Sequence, residues 1–103
     1  RLIKASVVIP VYNNPIGLEK ILSSMVEQDF PKNEYEIIVA DNGSTDNTLD
    51  IANKYINNYS ILVKYVIESN VQSSYAARNK GINIAKGDIL AFTDSDCIPE
   101  KIG

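Results

Sequence analysis

Four apolar runs rich in β-branched residues, at positions 6–11, 36–40, 62–67 and 89–93, alternate along the chain with three segments of helical period. That alternation restricts the fold more than any other feature. Near-continuous apolar strands separated by helices argue a parallel sheet covered on both faces, with each crossover right-handed. The expected architecture is therefore α/β, in three layers α/β/α around a mostly parallel sheet, in the order β-α-β-α-β-α-β. The first helix places Leu18, Ile21, Leu22, Met25 and Val26 on one stripe, with Asn14 as N-cap and Pro15 as first helical residue. The second, over about 48–56, puts Leu49, Ala52, Tyr55 and Ile56 on one face, with Ser44 or Asp46 capping it. The third, over about 74–86, turns Ala77, Gly81, Ile84 and Ala85 inward. It has Lys86 in its last turn and Gly87 where a left-handed cap belongs.

Length and composition remove several function classes. The 103 residues make one small domain, 1–103, and no repeat, low-complexity tract or linker divides it. A net charge of -3 offers no basic footprint for nucleic acid or anionic lipid. With no His in the chain, imidazole bases, Ser-His pairs and His-ligated zinc are excluded within it. The one cysteine, Cys97, forbids an internal disulfide and reads as a small buried hydrophobe in a reducing compartment. No apolar run reaches a membrane span, and Pro10 interrupts the first one, so the chain is expected to be soluble and cytoplasmic. Peripheral membrane attachment of a longer parent stays open.

Ligands of parallel α/β sheets sit beyond the carboxyl ends of the strands. Three of the four expected strands end in polar clusters: Tyr12-Asn13-Asn14, Asp41-Asn42-Gly43-Ser44-Thr45-Asp46, and Asp94-Ser95-Asp96. Residues two apart in extended backbone point the same way, so Asp94 and Asp96 share a face. Two hard oxygen donors there suit Mg²⁺ or Mn²⁺ still bound to phosphates. Taken alone, an Asp-x-Asp is more often a solvated loop, and the 41–46 cluster is an ordinary turn and helix cap. The cluster fails the EF-hand pattern, because Gly43 falls where an oxygen ligand should be. Phosphate-loop and dinucleotide fingerprints are absent.

Together the segments are far more specific. Ser6-Val-Val-Ile-Pro-Val-Tyr-Asn-Asn, Asp41-Asn-Gly-Ser-Thr-Asp-Asn-Thr, Ala76-Ala-Arg-Asn-Lys-Gly and Ala85-Lys-Gly-Asp-Ile-Leu-Ala-Phe-Thr-Asp-Ser-Asp resemble, in order and spacing, the nucleotide-sugar-binding half of the family-two glycosyltransferases of the GT-A fold. The resemblance implies a Rossmann-like half that binds a nucleotide-diphosphate sugar, a UDP-sugar being favoured, for inverting transfer to an acceptor hydroxyl. Cell-envelope polysaccharide synthesis is an expected setting. It implies donor contacts from Pro10, Tyr12, Asp41, Arg78, Asp94 and Ser95: Tyr12 stacked on the base, Asp41 accepting from the base imino N–H, and Arg78 at the base edge or the diphosphate. Asp94 would meet the ribose or metal-bound water, and Asp96 the Mg²⁺ or Mn²⁺ that bridges the phosphates. Asp46 and Asn79 brace the loops, and Tyr75 reads as core.

The family's catalytic base lies well downstream of the Asp-x-Asp, so no catalytic residue is expected in this chain. It reads as a truncated amino-terminal half, inactive alone, and the alternative is a non-catalytic nucleotide-sugar-binding fragment. A phosphatase-like reading of Asp94 and Asp96 as nucleophile and acid fits less well, because that motif ends a first strand and here follows the fourth. In the related fold the strand order is third, second, first, fourth. That order leaves the fourth strand as a bare edge and predicts self-association through it or its adjoining face, or else marginal stability.

Overall fold

The computed structural model describes residues 3–26, 34–59, 62–71, 73–87 and 89–92. Its elements run β1 (Ala5–Val11), α1 (Pro15–Val26), β2 (Tyr35–Asp41), α2 (Thr48–Asn58), β3 (Val63–Ile67), α3 (Ser74–Ile84) and β4 (Ile89–Phe92). The four strands form one sheet in the order β3-β2-β1-β4, and each described pairing is parallel. Sheet order reverses once. From β1 the chain steps to β2 and then β3, and the last crossover returns past both to β4. Right-handed crossovers then require α1 and α2 on one face and α3 on the other. The packing agrees: Ile9, Val11, Leu18, Leu22, Ile37, Val39, Ala52 and Tyr55 form one buried cluster, and Val8, Ile38, Ala40 and Ala77 form the other. Odd positions of β1 and β2 face the first layer and even ones the second, as a period of two demands.

Pro10 sits in an inner strand, where a missing N–H usually leaves a gap in the ladder. The Val11 carbonyl accepts from Asn42 N–H at 2.8 Å, so Val11 faces β2 and its neighbour Pro10 faces β4. The last described β1–β4 pair is Val8 with Phe92, and Pro10 lies beyond it. No described ladder bond is lost.

The first helix begins as its sequence predicts. The Asn14 side-chain oxygen accepts from Gly17 N–H at 3.1 Å, and Pro15 is the first helical residue. At α2, Asp46 holds Thr48 through both its N–H, at 3.0 Å, and its hydroxyl, at 2.5 Å. Thr48, Ala52 and Tyr55 then form the inward stripe. Leu49, expected on that face, lies one position off it and is 40% exposed.

The end of α3 departs further from expectation. The helix stops at Ile84, Ala85 is extended (φ -69°, ψ 137°), and the left-handed glycine of the described residues is Gly43 rather than Gly87. Instead of continuing the helix, Lys86 N–H donates to the Glu36 carboxylate at 2.7 Å and Gly87 N–H to the Ser6 hydroxyl at 2.8 Å. Ala85 packs against the second cluster in place of Ile84, which is 36% exposed. Gly87 is needed for close approach: a Cβ there would lie 2.6 Å from the carbonyl carbon of Ala5. Gly81 has the same kind of role on α3, since its Cβ would lie 2.6 Å from a Val8 methyl.

Between the two helices of the first layer, Glu19 receives Lys54 at 2.6 Å and also the Tyr55 hydroxyl. Burial and then the Glu19 carboxylate push the Tyr55 hydroxyl up to about 12. The Glu19–Lys54 pair is largely in water, so it registers α1 against α2 more than it stabilises them. Among the described residues no helix is long and apolar enough to cross a membrane.

Candidate functional site

The carboxyl ends of β1, β2 and β3 carry loops bound to one another by short polar side chains. Val11 is the register partner of Asp41, and Asp41 of Ile67, so the three loops leave the sheet side by side. Asn13 links the first two loops. Its N–H donates to the Ser44 hydroxyl and its side-chain oxygen accepts from Thr45 N–H, both at 2.8 Å. Its φ of 48° is left-handed, a conformation that Asn tolerates better than most side chains. Asn42 links the second loop to the third: its amide donates to the Glu68 and Val71 carbonyls, each at 2.7 Å. Glu68 in turn accepts from the N–H groups of Asn70 and Val71, at 3.0 and 3.1 Å. Ser73 then caps α3 by accepting from Ala76 N–H at 3.0 Å.

Asp41 sits at the centre of this arrangement and is 1% exposed. One carboxylate oxygen accepts from Ser44 N–H at 2.9 Å and from the Ser44 hydroxyl at 2.7 Å. The other accepts from the Tyr65 hydroxyl of β3. The turn expected at this position is thus formed, and three of the roughly four acceptor positions of a carboxylate are filled. Burial first, and then the Asp41 carboxylate, hold the Tyr65 hydroxyl well above its ordinary value, so it stays a donor across physiological pH.

The other expected site residues are distributed as follows. Tyr12, directly after Val11, the register partner of Asp41, is 46% exposed. Pro10 is buried in β1 below it. Arg78 is half-buried on α3, one turn in from the end that starts at the rim, and Asn79 beside it is exposed. Tyr75, expected in the core, is 68% exposed on the first turn of α3, because Ala77 takes the inward position. Asp94, Ser95 and Asp96 lie outside the described residues. Among the described residues no group of three or more acidic or cysteine side chains could hold a metal ion.

Sequence reasoning did not single out Asn13, Asn42 or Tyr65. Asn-Gly marked the turn, but partners 26 to 32 residues away leave no local signal. The order reversal lies between β1 and β4, the usual place for a ligand crevice in an open α/β sheet. Tyr12 stands on its β1 side.

Comparison with known proteins agrees with this geometry. Residues 6–102 match the family described as glycosyl transferase family 2. The chain is 47% identical over 96 residues to glycosyltransferase AglE of Haloferax volcanii, covering 93% of this chain and 31% of that protein. It is 48% identical over 95 residues to the poly(ribitol-phosphate) beta-glucosyltransferase of Bacillus spizizenii, covering 90% and 15%. The chain therefore spans less than a third of the length of these relatives. Two solved structures superpose well. S. aureus TarS 1-349 in complex with UDP-GlcNAc has a TM-score of 0.82 and 39% identity, over 91% of this chain and 27% of that one. The mannosyltransferase PcManGT from Pyrobaculum calidifontis, in complex with GDP-Man and Mn²⁺, has a TM-score of 0.83 and 28% identity, over 93% and 28%. With a match over nearly its whole length and relatives that share its fold, the chain belongs to glycosyl transferase family 2.

Proposed function

We propose that this chain holds the nucleoside diphosphate of an activated sugar, a UDP-sugar by preference, for inverting transfer to an acceptor hydroxyl. The observation that carries the reading is the placement of the exposed Tyr12 beside Asp41, at the carboxyl ends of neighbouring strands and next to the order reversal of the sheet. Tyr12 offers a face for base stacking. Asp41 offers its remaining acceptor position to a base imino N–H. Because Asp41 is 1% exposed, the loops around it must part for the base to reach that position. Arg78 supplies a planar donor fork for the base edge or the diphosphate.

Asp94 and Asp96, which follow β4 in the sequence, are the proposed carboxylate donors to Mg²⁺ or Mn²⁺, with Ser95 beside them at the donor. When bound, the cation neutralises charge on the departing nucleoside diphosphate. Support comes from the complexes of two relatives, one with UDP-GlcNAc and the other with GDP-Man and Mn²⁺.

Calorimetry with UDP, GDP and ADP, each with Mn²⁺ and with chelator, tests the proposal. UDP should bind most tightly, and more weakly once the metal is removed. Asp41→Ala should weaken all base-bearing ligands, and Asp96→Ala should remove the metal-dependent part alone. Equal UDP affinity with and without metal would defeat the Asp96 assignment.

A further inference from the structure

The end of the sheet opposite the loops holds a buried carboxylate that the proposed function does not use. Glu36 is fully buried. It accepts from the Ser6 hydroxyl at 2.6 Å, from Lys64 Nζ at 2.7 Å and from Lys86 N–H at 2.7 Å. Ser6 Oγ, while donating to Glu36, accepts Gly87 N–H at 2.8 Å. One carboxylate thus joins β1, β2, β3 and the segment that enters β4, and Gly87 lies against the Ala5 backbone where no side chain fits.

The strand that most needs this anchor is β4. It pairs with β1 over four residues only, from Ala5 with Ile89 to Val8 with Phe92, and has no described neighbour on its other side. A short apolar strand can slide by two residues without changing which side chains face inward, so its own pattern specifies register weakly. Sliding would pull Lys86 and Gly87 off their acceptors and leave a buried carboxylate short of a donor, which a low-dielectric site resists strongly.

We propose that Glu36 and Ser6 form a clamp that fixes the register of β4 and thereby positions the Asp94-Ser95-Asp96 motif two residues beyond it. Glu36 is a positioning residue, acting from the opposite end of a strand about 10 Å long. The clamp's functional consequence rests on the donor-site reading given above. A misplacement of about 1 Å is enough to weaken a site of this kind a hundred-fold.

The test compares Ser6→Ala, Glu36→Gln and Lys64→Met by amide hydrogen exchange, reading β4 protection relative to β2 in each folded protein. Ser6→Ala removes the acceptor of Gly87, so β4 exchange should accelerate on the order of five- to ten-fold more than β2. Glu36→Gln keeps an oxygen for Lys86 N–H and should preserve the ratio. Lys64→Met touches Glu36 from the β3 side and should lower protection of both strands together. Equal acceleration of β2 and β4 in Ser6→Ala would overturn the clamp.

UDP titrations of the same variants add a second readout. In Ser6→Ala the Mn²⁺-dependent gain in UDP affinity should fall while uridine binding holds, and a full gain alongside loosened β4 would overturn the positioning role. If the unsubstituted protein shows no Mn²⁺-dependent gain, the donor-site reading fails, and the exchange ratio still decides the clamp.

Discussion

The two ends of the sheet handle polar groups in opposite ways. At the loop end, neutral side chains, Asn13, Asn42 and Ser44, hold backbone to backbone. They leave Tyr12 46% exposed to solvent above a buried Asp41. At the other end a carboxylate, Glu36, is enclosed and accepts from Ser6, Lys64 and the Lys86 N–H. The first end is braced yet leaves an aromatic side chain in solvent. The second is closed, and its polar groups specify how the strands meet. A polar residue at a strand end is therefore not in itself a sign of chemistry: Asp41 and Glu36 are both buried and each accepts three hydrogen bonds, and what separates the two ends is the aromatic side chain left in solvent at Tyr12.

That contrast predicts unequal sensitivity to substitution. Glu36→Ala strips Lys86 N–H, Ser6 and Lys64 of their shared acceptor and should cost about 3 kcal/mol or more of stability in urea unfolding. A loss below 1 kcal/mol would place the closed end on the same footing as the open one. Gly87→Ala should cost about 3 kcal/mol, because its Cβ would meet the Ala5 backbone, which cannot rotate away as a side chain can. Asn42→Ala removes two hydrogen bonds at the loop end and should cost only about 1–2 kcal/mol, with a larger proportional loss in UDP affinity than in stability. Equal losses in the two would erase the distinction.

The smallest expected effect is one of pH. Burial tends to raise the Glu36 pKa, but Lys64, Ser6 and Lys86 N–H outweigh it and hold the carboxyl below its ordinary 4.5. A group depressed in the folded state stabilises the fold above its unfolded value, and that contribution is lost as pH falls through the folded value. Stability should therefore decline from near pH 4.5 downward. Glu36→Gln should flatten part of this decline. Among the described residues Glu19, which Lys54 and Tyr55 hold low on the surface, contributes in the same direction.

The element order and the start of α1 were legible because they depend on local chemistry, β-branched runs, Asn14 as cap and Pro15 in the first turn, whereas the strand order came from the resemblance to the related fold. The closed end was not. Glu36 heads an apolar run, and nothing nearby announces that its partners lie 28, 30 and 50 residues away. Gly87 after a helical stretch signalled a left-handed cap, whereas its lack of a side chain serves contact with β1. Helical periodicity also placed Leu49 and Ile84 inward, whereas Thr48 takes the inward position on the first turn of α2 and Ala85, just past the end of α3, packs on the second cluster. Of the candidate site, residue types at strand ends marked the polar clusters and the family resemblance pointed to Tyr12 and Asp41 within them, but the links through Asn13, Asn42 and Tyr65 required the fold itself.

Asn42 and Gly43 give the open end a further property, in its chemical ageing. In a mobile chain, an Asn followed by Gly loses ammonia readily, because the glycine N–H nitrogen attacks the side-chain carbonyl and closes a succinimide ring. Here the Asn42 amide is pinned to two carbonyls and 4% exposed, and Gly43 is fixed at a φ of 88°. Ring closure must wait for the loop to open locally. The slow appearance of isoaspartate at this position therefore measures how often the loop end comes apart, and a bound nucleotide that keeps it shut should lengthen the protein's shelf life at this bond.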